Sequence, residues 1–382
     1  MNQHPPDQAG RQAAPRVGVI EPRSAVIIGT GLIGTSIALA LRERGVSVWL
    51  QDRDPESALL AAGIGAGTQL PAGGLPSGPA DVAVLAVPPA AVAPELAAAQ
   101  RRGLAACYTD VASVKALPLG QARELACDLA SYVPGHPLSG RERSGPAAAR
   151  ADLFLGRPWV ICPLAENDAD AISLVTGLSV ACQAQPVQMS VAEHDQWVAL
   201  VSHAPHVVAA AMAARLELAA PGALALAGQG LRDVTRIAGG DPGMWLQILT
   251  ANAGPAGNVL RQVAADLQHA ATALDRVADG DELAGKDVAE LLERGTGGVS
   301  RIPGKRGGPA RDFAIVQVII PDRPGELARL FQAAGEAGIN IEDVGIEHSS
   351  GLPVGVAELS VRREVAGQLR SVLAAGGWPV RR

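Results

Sequence analysis

The chain has 382 residues, 48% hydrophobic, 18% charged and 3% aromatic, with a formal net charge of −6. That length calls for two or three domains, and the composition excludes a disordered chain. The acidic balance, with no lysine or arginine run, excludes a general nucleic-acid surface.

Residues 1–22 are polar and Pro/Gly-rich, lack the apolar stretch of a secretory signal, and are expected to form a disordered tail. No segment is apolar over a membrane-spanning length without a charge or a helix breaker, so no membrane partner is expected. Cys107, Cys127, Cys162 and Cys182 form no C-x-x-C pair and have no histidine at metal-ligand spacing. They are expected to be reduced thiols of a cytoplasmic protein, and no metal site is expected.

Residues 24–54, SAVIIGTGLIGTSIALALRERGVSVWLQDRD, read as strand, tight turn, helix and second strand. Gly29, Gly31 and Gly34 fit G-x-G-x-x-G. The first permits the sharp turn, the second lets backbone approach a pyrophosphate, and the third lets helix and strand pack closely. Leu32 and Ile33 lie at the helix start, whose free N–H groups and positive dipole end suit phosphate. Asp52 follows the second strand and is placed to accept hydrogen bonds from ribose hydroxyls, which favours NAD. Arg53 beside it is the residue that would instead pair with a 2′-phosphate.

Later strands repeat the pattern of ending at a ligand-facing edge. DVAVLAVPP (81–89) stops at Pro88, with Val87 in the expected crevice. ACYTDVASVK (106–115) runs to about Thr109 and sets Asp110, Ser113 and Lys115 at the same edge. YVPGHPLSG (132–140) brings His136 there. PWVICPL (158–164) reads as the last strand of the sheet.

From about residue 166 the texture becomes helical. Residues 190–216 form one long amphipathic helix or a close pair, carrying His194, His203 and His206, with Pro205 as kink or new start. His203 and His206 share a face but lack a third metal ligand. In 231–249, Arg232, Asp233 and Arg236 precede Gly239-Gly240 and Trp245, and a further helix covers about 252–293. Residues 294–311, rich in Gly, Pro and basic residues, read as a linker. The remainder alternates strand (313–321), helix (325–338), two strands (339–349 and 353–361) and helix (363–377), a ferredoxin-like unit.

The expected domains are therefore a disordered tail (1–22), a Rossmann-type dinucleotide-binding α/β domain (23–165), an all-helical substrate and dimerisation domain (166–293), a linker (294–311) and a small C-terminal domain (312–382). The motifs DVASVK, GHPLSG-x-E, SHAPH and RDVTRIA with Trp245, in order after the glycine turn and Asp52, resemble the prephenate/arogenate dehydrogenase family over residues 24–292. DRPGELARLF and GINIEDV resemble an ACT domain.

The resemblance implies NAD-dependent oxidative decarboxylation of a cyclohexadienol in tyrosine biosynthesis, with hydride passing to NAD⁺ and the ring aromatising. It implies His136 as the base that accepts a hydrogen bond from the ring hydroxyl. Activity should then rise through the imidazole pKa, about 6.5 when unperturbed. It implies Ser113 bonded to His136 and the nicotinamide edge. His203 and Arg236 would close over the substrate, with Arg236 forking onto a carboxylate. Glu142 and Asp233 would orient that layer, Lys115 is a weaker candidate, and Trp245 is a wall of the site or core packing. Ala204 stands where the family has a larger aliphatic residue, and Arg141 and Arg143 give Glu142 a basic setting. Prephenate and arogenate both remain open as substrate.

For the C-terminal unit the resemblance implies tyrosine binding as feedback regulation at Asp322, Pro324, Gly325, Glu326, Leu327 and Asn340, and a homodimer. A β-hydroxyacid or imine reductase is the rival enzyme, but its lysine is missing from 166–285. An NAD-binding, amino-acid-sensing regulator without catalysis is the rival outside enzymes.

Overall fold

A computed structural model describes residues 18–75, 78–139, 145–303, 313–348 and 354–381. The chain forms two compact units. One comprises residues up to Ala227 together with Leu231–Arg261, and the other Gly228–Gly230 with Gln262 onward.

The first unit is built on a parallel sheet in the order β3-β2-β1-β4-β5. Its strands are β1 (Ser24–Ile28), β2 (Ser47–Gln51), β3 (Thr68–Gln69), β4 (Ala80–Leu85) and β5 (Ala105–Asp110). Runs such as AVII and DVAVL carry no polar alternation because helices cover both faces. Successive side chains therefore enter two cores. Ala25 and Ile27 pack with Leu41, Val84, Trp159 and Leu178, whereas Val26 and Ile28 pack with Leu85, Leu96 and Tyr132.

The crossovers are α1 (Leu32–Glu43), α2 (Pro55–Gly63), α3 (Pro89–Arg101) and α4 (Ala116–Glu124). Helix α2 starts where Asp54 accepts from the Glu56 amide and Pro55 needs no donor. A parallel bridge between Tyr108 and Tyr132 leads from β5 to a second sheet. There β6 (Gly135–Pro137) pairs antiparallel with β7 (Pro158–Ile161), which pairs parallel with β8 (Gln185–Gln188).

Three boundaries differ from the sequence expectation. Residues 18–22 are not free tail: Ile20 donates from its amide to the Ser173 carbonyl of α5 (Ala169–Ala181). The sheet-bearing region does not stop at 165. Helix α5 sends Ala171, Leu174, Val175 and Leu178 into the sheet's own core, and β8 follows it. An alanine-rich helix reads the same whether it covers a sheet or another helix, so composition did not separate the two. Third, the expected linker begins inside a helix. Helix α11 (Ala253–Ala278) ends at Asp279-Gly280, and α12 (Gly285–Val299) carries three glycines of the 294–311 segment in its last turns.

Between these lie α6 (Val191–Val198), α7 (Ala204–Ala214), α8 (Pro221–Leu224), α9 (Gln229–Thr235) and α10 (Pro242–Ala251). A reciprocal Ser190–Glu193 capping box starts α6. The stretch Val191–Ala214 is long and apolar enough to span a membrane by length and composition, contrary to expectation. It is instead broken in the middle, and it buries His194, Asp195 and His203 among polar partners of the first unit.

In the second unit β9 (Phe313–Pro321), β10 (Asp343–His348) and β11 (Val354–Arg362) form an antiparallel sheet in the order β10-β11-β9, and Val380 bridges to Val318. Helices α13 (Glu326–Glu336) and α14 (Ala366–Ala375) cover it, with Leu330, Leu369 and Leu373 buried against Val316, Val318 and Leu359.

Candidate active site

The glycine turn shows why it needs glycine. Gly29 has φ +99°, and a Cβ there would lie 2.3 Å from the Ala86 carbonyl oxygen; a Cβ on Gly34 would lie 2.0 Å from the Gly29 oxygen. A Cβ on Gly31, the exposed residue before α1, would meet nothing within 4 Å. Tight packing on two sides and open space on the third is the shape of a cradle for phosphate at the α1 N-terminus. Leu32, Ile33 and Val87 are half-buried beside it. Asp52 accepts from the Thr30 hydroxyl at 2.9 Å and from the Thr30 and Asp54 amides. Its carboxylate is thus fixed at the turn before any ligand arrives.

At the ends of β5 and β6 a buried polar network gathers. Lys115 was expected at the ligand-facing edge, yet its side chain is wholly buried. It pairs with Asp110 and donates to the Gly135 carbonyl, which ties β5 to the strand bearing His136. Asp110 also accepts from the Tyr132 hydroxyl at 2.7 Å and the Ala112 amide at 2.9 Å.

His136 sits within β6, half-buried, and its Nδ1 lies 2.8 Å from Nε2 of His194. Nδ1 of His194 lies 2.8 Å from Oδ1 of Asp195. Asp195 is anchored by the amides of Lys115 and Ala116, each at 2.9 Å. No hydrogen bond joins Ser113 to His136 among the described residues, contrary to expectation; the ring's partner is His194.

Burial, together with the Lys115 charge and the neighbouring His194 and His203, pushes the His136 pKa well below the ordinary imidazole value. Desolvation lowers that of His194 as well, against the pull of Asp195. The Asp195 carboxyl, though raised by burial, is held below its usual range by His194 and the two amides. With Asp195 ionised and both rings neutral, one proton arrangement satisfies the chain. Nδ1–H of His194 donates to Asp195, Nδ1–H of His136 donates to the bare Nε2 of His194, and Nε2 of His136 keeps a free lone pair. The titration expected near 6.5 therefore moves lower.

His203 follows from the break in the helix. Pro205 has no N–H to offer the Val201 carbonyl, and the preceding turn, Ala199–His203, widens into a π turn closed by the Ala204 amide on Ala199. His203 is buried, and burial pushes its pKa down to about 4. The Asn252 amide donates to its Nδ1 at 3.0 Å and to the Asp195 carbonyl at 2.8 Å. Neutral His203 accordingly carries its proton on Nε2 and is a donor. The sequence pair His203/His206 divides its work, because His206 stacks on Trp245 with ring centroids 3.6 Å apart. Trp245 is half-buried and also meets the His203 ring edge-on.

Arg236 and Asp233 are exposed on the α9 segment and the turn after it. Glu142 lies outside the described residues, as do Arg141 and Arg143. In the second unit Asp322, Pro324 and Gly325 are exposed before α13. Glu326 there pairs with Arg329, Leu327 packs partly into the core, and Asn340 donates to Glu342.

Sequence reading missed Asp195 and Asn252 and gave His194 no task. The adjacent His-Asp pair in a helix was a signal; Asn252 carried none.

Residues 37–188 match the family model of the prephenate dehydrogenase nucleotide-binding domain, and 190–286 match that of the prephenate dehydrogenase dimerization domain. The chain belongs to the prephenate dehydrogenase family. It is an oxidoreductase of that family, and its similarity extends over nearly its whole length. A probable prephenate dehydrogenase of Streptomyces niveus, NovF, is 42% identical over 362 residues, covering 94% of this chain and 99% of that protein. A cyclohexadienyl dehydrogenase of Zymomonas mobilis is 32% identical over 269 residues, 67% of this chain and 90% of that one. Among solved structures, prephenate dehydrogenase from A. aeolicus, in complex with hydroxyphenyl propionate and NAD⁺, superposes with a TM-score of 0.62 at 25% identity. That match covers 72% of this chain and 99% of that one.

Proposed function

We propose that this chain catalyses the NAD-dependent oxidative decarboxylation of prephenate to 4-hydroxyphenylpyruvate, with His136 as the base. The observation that carries this is the hydrogen-bond chain from Asp195 through His194 to Nδ1 of His136, which occupies that nitrogen and leaves Nε2 for the substrate. The cradle of Gly29, Gly31 and Gly34 fits the dinucleotide pyrophosphate, with Leu32, Ile33 and Val87 lining it, Asp52 for the ribose and Ser113 for the nicotinamide edge. When bound, the nicotinamide supplies the hydride acceptor.

The substrate's ring hydroxyl gives up its proton to His136 as the adjacent C–H leaves as hydride, and the ring carboxylate departs as CO₂ with its bond pair entering the aromatic ring. The residues' task is orientation and proton removal. His203, a neutral donor, and Arg236, a forked cation, suit the substrate's oxygens. Glu142 and Asp233 orient that layer, and Trp245 walls it. Arogenate, with an amine in place of the keto group, is the second substrate reading; the Zymomonas relative's broader name favours keeping it.

We keep the expected domain division as a reading, with the boundary changes given above. The C-terminal unit is read as an ACT domain binding tyrosine around Asp322–Leu327 and Asn340 as a feedback inhibitor. A homodimer through the helical region is supported by apolar residues left exposed on α10 and α11, among them Leu246, Leu267 and Leu274. The protein is placed in the cytoplasm.

The test follows absorbance at 340 nm with NAD⁺ and either prephenate or arogenate. His136→Asn should lower kcat by about 10²–10⁴-fold. Full activity in that variant would remove His136 as the base. NAD⁺ binding without turnover of either substrate would favour a non-catalytic regulator.

A further inference from the structure

We propose that His194 and Asp195 are positioning residues that act through His136: they hold it in the Nδ1–H tautomer and receive, by relay, the charge of the proton it takes at Nε2. This rests on the reading of His136 as base.

The geometry leaves little freedom. His194 is wholly buried, with one ring nitrogen on Asp195 and the other on His136, each at 2.8 Å. Asp195 cannot rotate away, because its two oxygens are held separately by the Lys115 and Ala116 amides. The charged and titratable groups around the pair are Lys115 and Asp110 from the β5–α4 connection and His203 from the π turn. Lys115 is a cation whose presence disfavours a second positive charge on His136. The same charge disfavours an imidazolium at His194, but there the cation lies directly against the Asp195 carboxylate.

The proton balance is simple. The substrate's O–H bond breaks and an N–H bond forms at Nε2 of His136. The Nδ1–H bond of His136 then breaks as its proton passes to Nε2 of His194. His136 is left neutral and His194 cationic beside Asp195. As CO₂ leaves and the ring aromatises, the proton returns from Nε2 of His194 to Nδ1 of His136, and Nε2 of His136 gives its own back to the phenolate oxygen, so the product leaves as the phenol and the starting tautomers are restored.

The test compares wild type with His194→Gln and His194→Leu. The Gln oxygen replaces the acceptor at Nε2 but cannot take a proton; Leu removes the acceptor. Steady-state rates with NAD⁺ and prephenate are measured across the acid limb. The expected result is a fall in kcat of about 10²-fold for Leu, with a partial return for Gln. Prephenate KM should stay within about threefold, and the acid limb should move in both variants, because it then reports His136 alone instead of the coupled His136–His194 pair. A purely structural role would lower stability without moving that limb. Gln with wild-type kcat and acid limb would overturn the relay.

If neither variant folds, ¹⁵N-histidine NMR of the wild-type protein decides. Nδ1–H signals for both His136 and His194 at neutral pH are expected, and an Nε2–H tautomer at His136 would refute the proposal. Wild type that turns over neither prephenate nor arogenate would fail the activity reading instead, and the NMR result would still stand on its own.

Discussion

Lys115→Met puts the buried network under load. Lys115 and Asp110 both have side chains with no solvent exposure. Removing the ammonium leaves the Asp110 carboxylate with the Tyr132 hydroxyl and the Ala112 amide but no counter-charge. It also leaves the buried Gly135 carbonyl without the Lys115 donor. Truncating one partner of a buried ion pair typically costs about 3–5 kcal/mol. Adding Asp110→Asn removes the stranded charge, since an amide can still serve Ala112 and Tyr132. What then remains is chiefly the unpaired carbonyl, worth about 1–3 kcal/mol. The double variant should therefore be more stable than Lys115→Met alone. Urea unfolding of wild type, the two single variants and the double variant, followed through the near-ultraviolet signal, measures this. A Lys115→Met cost under about 1 kcal/mol, or a double variant as unstable as the sum of the singles, refutes the account of a charge-coupled buried pair.

Other outcomes follow from the same contacts. Gly34→Ala sets a Cβ 2.0 Å from a backbone oxygen and 2.9 Å from the Ala86 methyl. It should cost about 1–3 kcal/mol and weaken NAD⁺ binding at least about tenfold, read by titration calorimetry; unchanged affinity would separate the turn from the cofactor. His203 has a folded pKa of about 4, below the unfolded value near 6.5. Between those values the unfolded chain holds the extra proton, so stability falls as pH drops through that window, by about 3 kcal/mol at full extent. His203→Gln should flatten the pH dependence of the urea midpoint, and an identical slope in both proteins would contradict the assignment. Removing the Lys115 charge should also raise the pH at which His136 protonates, moving the acid limb of kcat/KM upward in Lys115→Met.

Much of the fold was legible because its signals are local. The glycine turn, the strand-ending Asp52, the apolar strand runs and the break at Pro205 each depend on residues a few positions apart. Steric limits on φ, hydrogen-bond donors and side-chain periodicity act at that range. Element boundaries were less legible where one composition serves two partners. The alanine-rich α5 reads like a bundle helix and instead covers a sheet, and glycines that read as linker end α12.

By itself the sequence determined that a dinucleotide cradle would form at Gly29–Gly34 and that His203 would stand at a helical break; His136, expected past the end of a strand of the main sheet, lies instead within β6 of a second sheet. Only the tertiary structure decided what His136 would touch. His194, with Asp195 next to it, lies on a helix 58 positions beyond His136, and Asn252 is 49 positions beyond His203. Lys115 turns inward because a buried carboxylate at Asp110 awaits it. No periodicity encodes such contacts. They arise when separately folded elements pack and each buried polar group must find a partner away from water, and this pairing sets the tautomer of the proposed base.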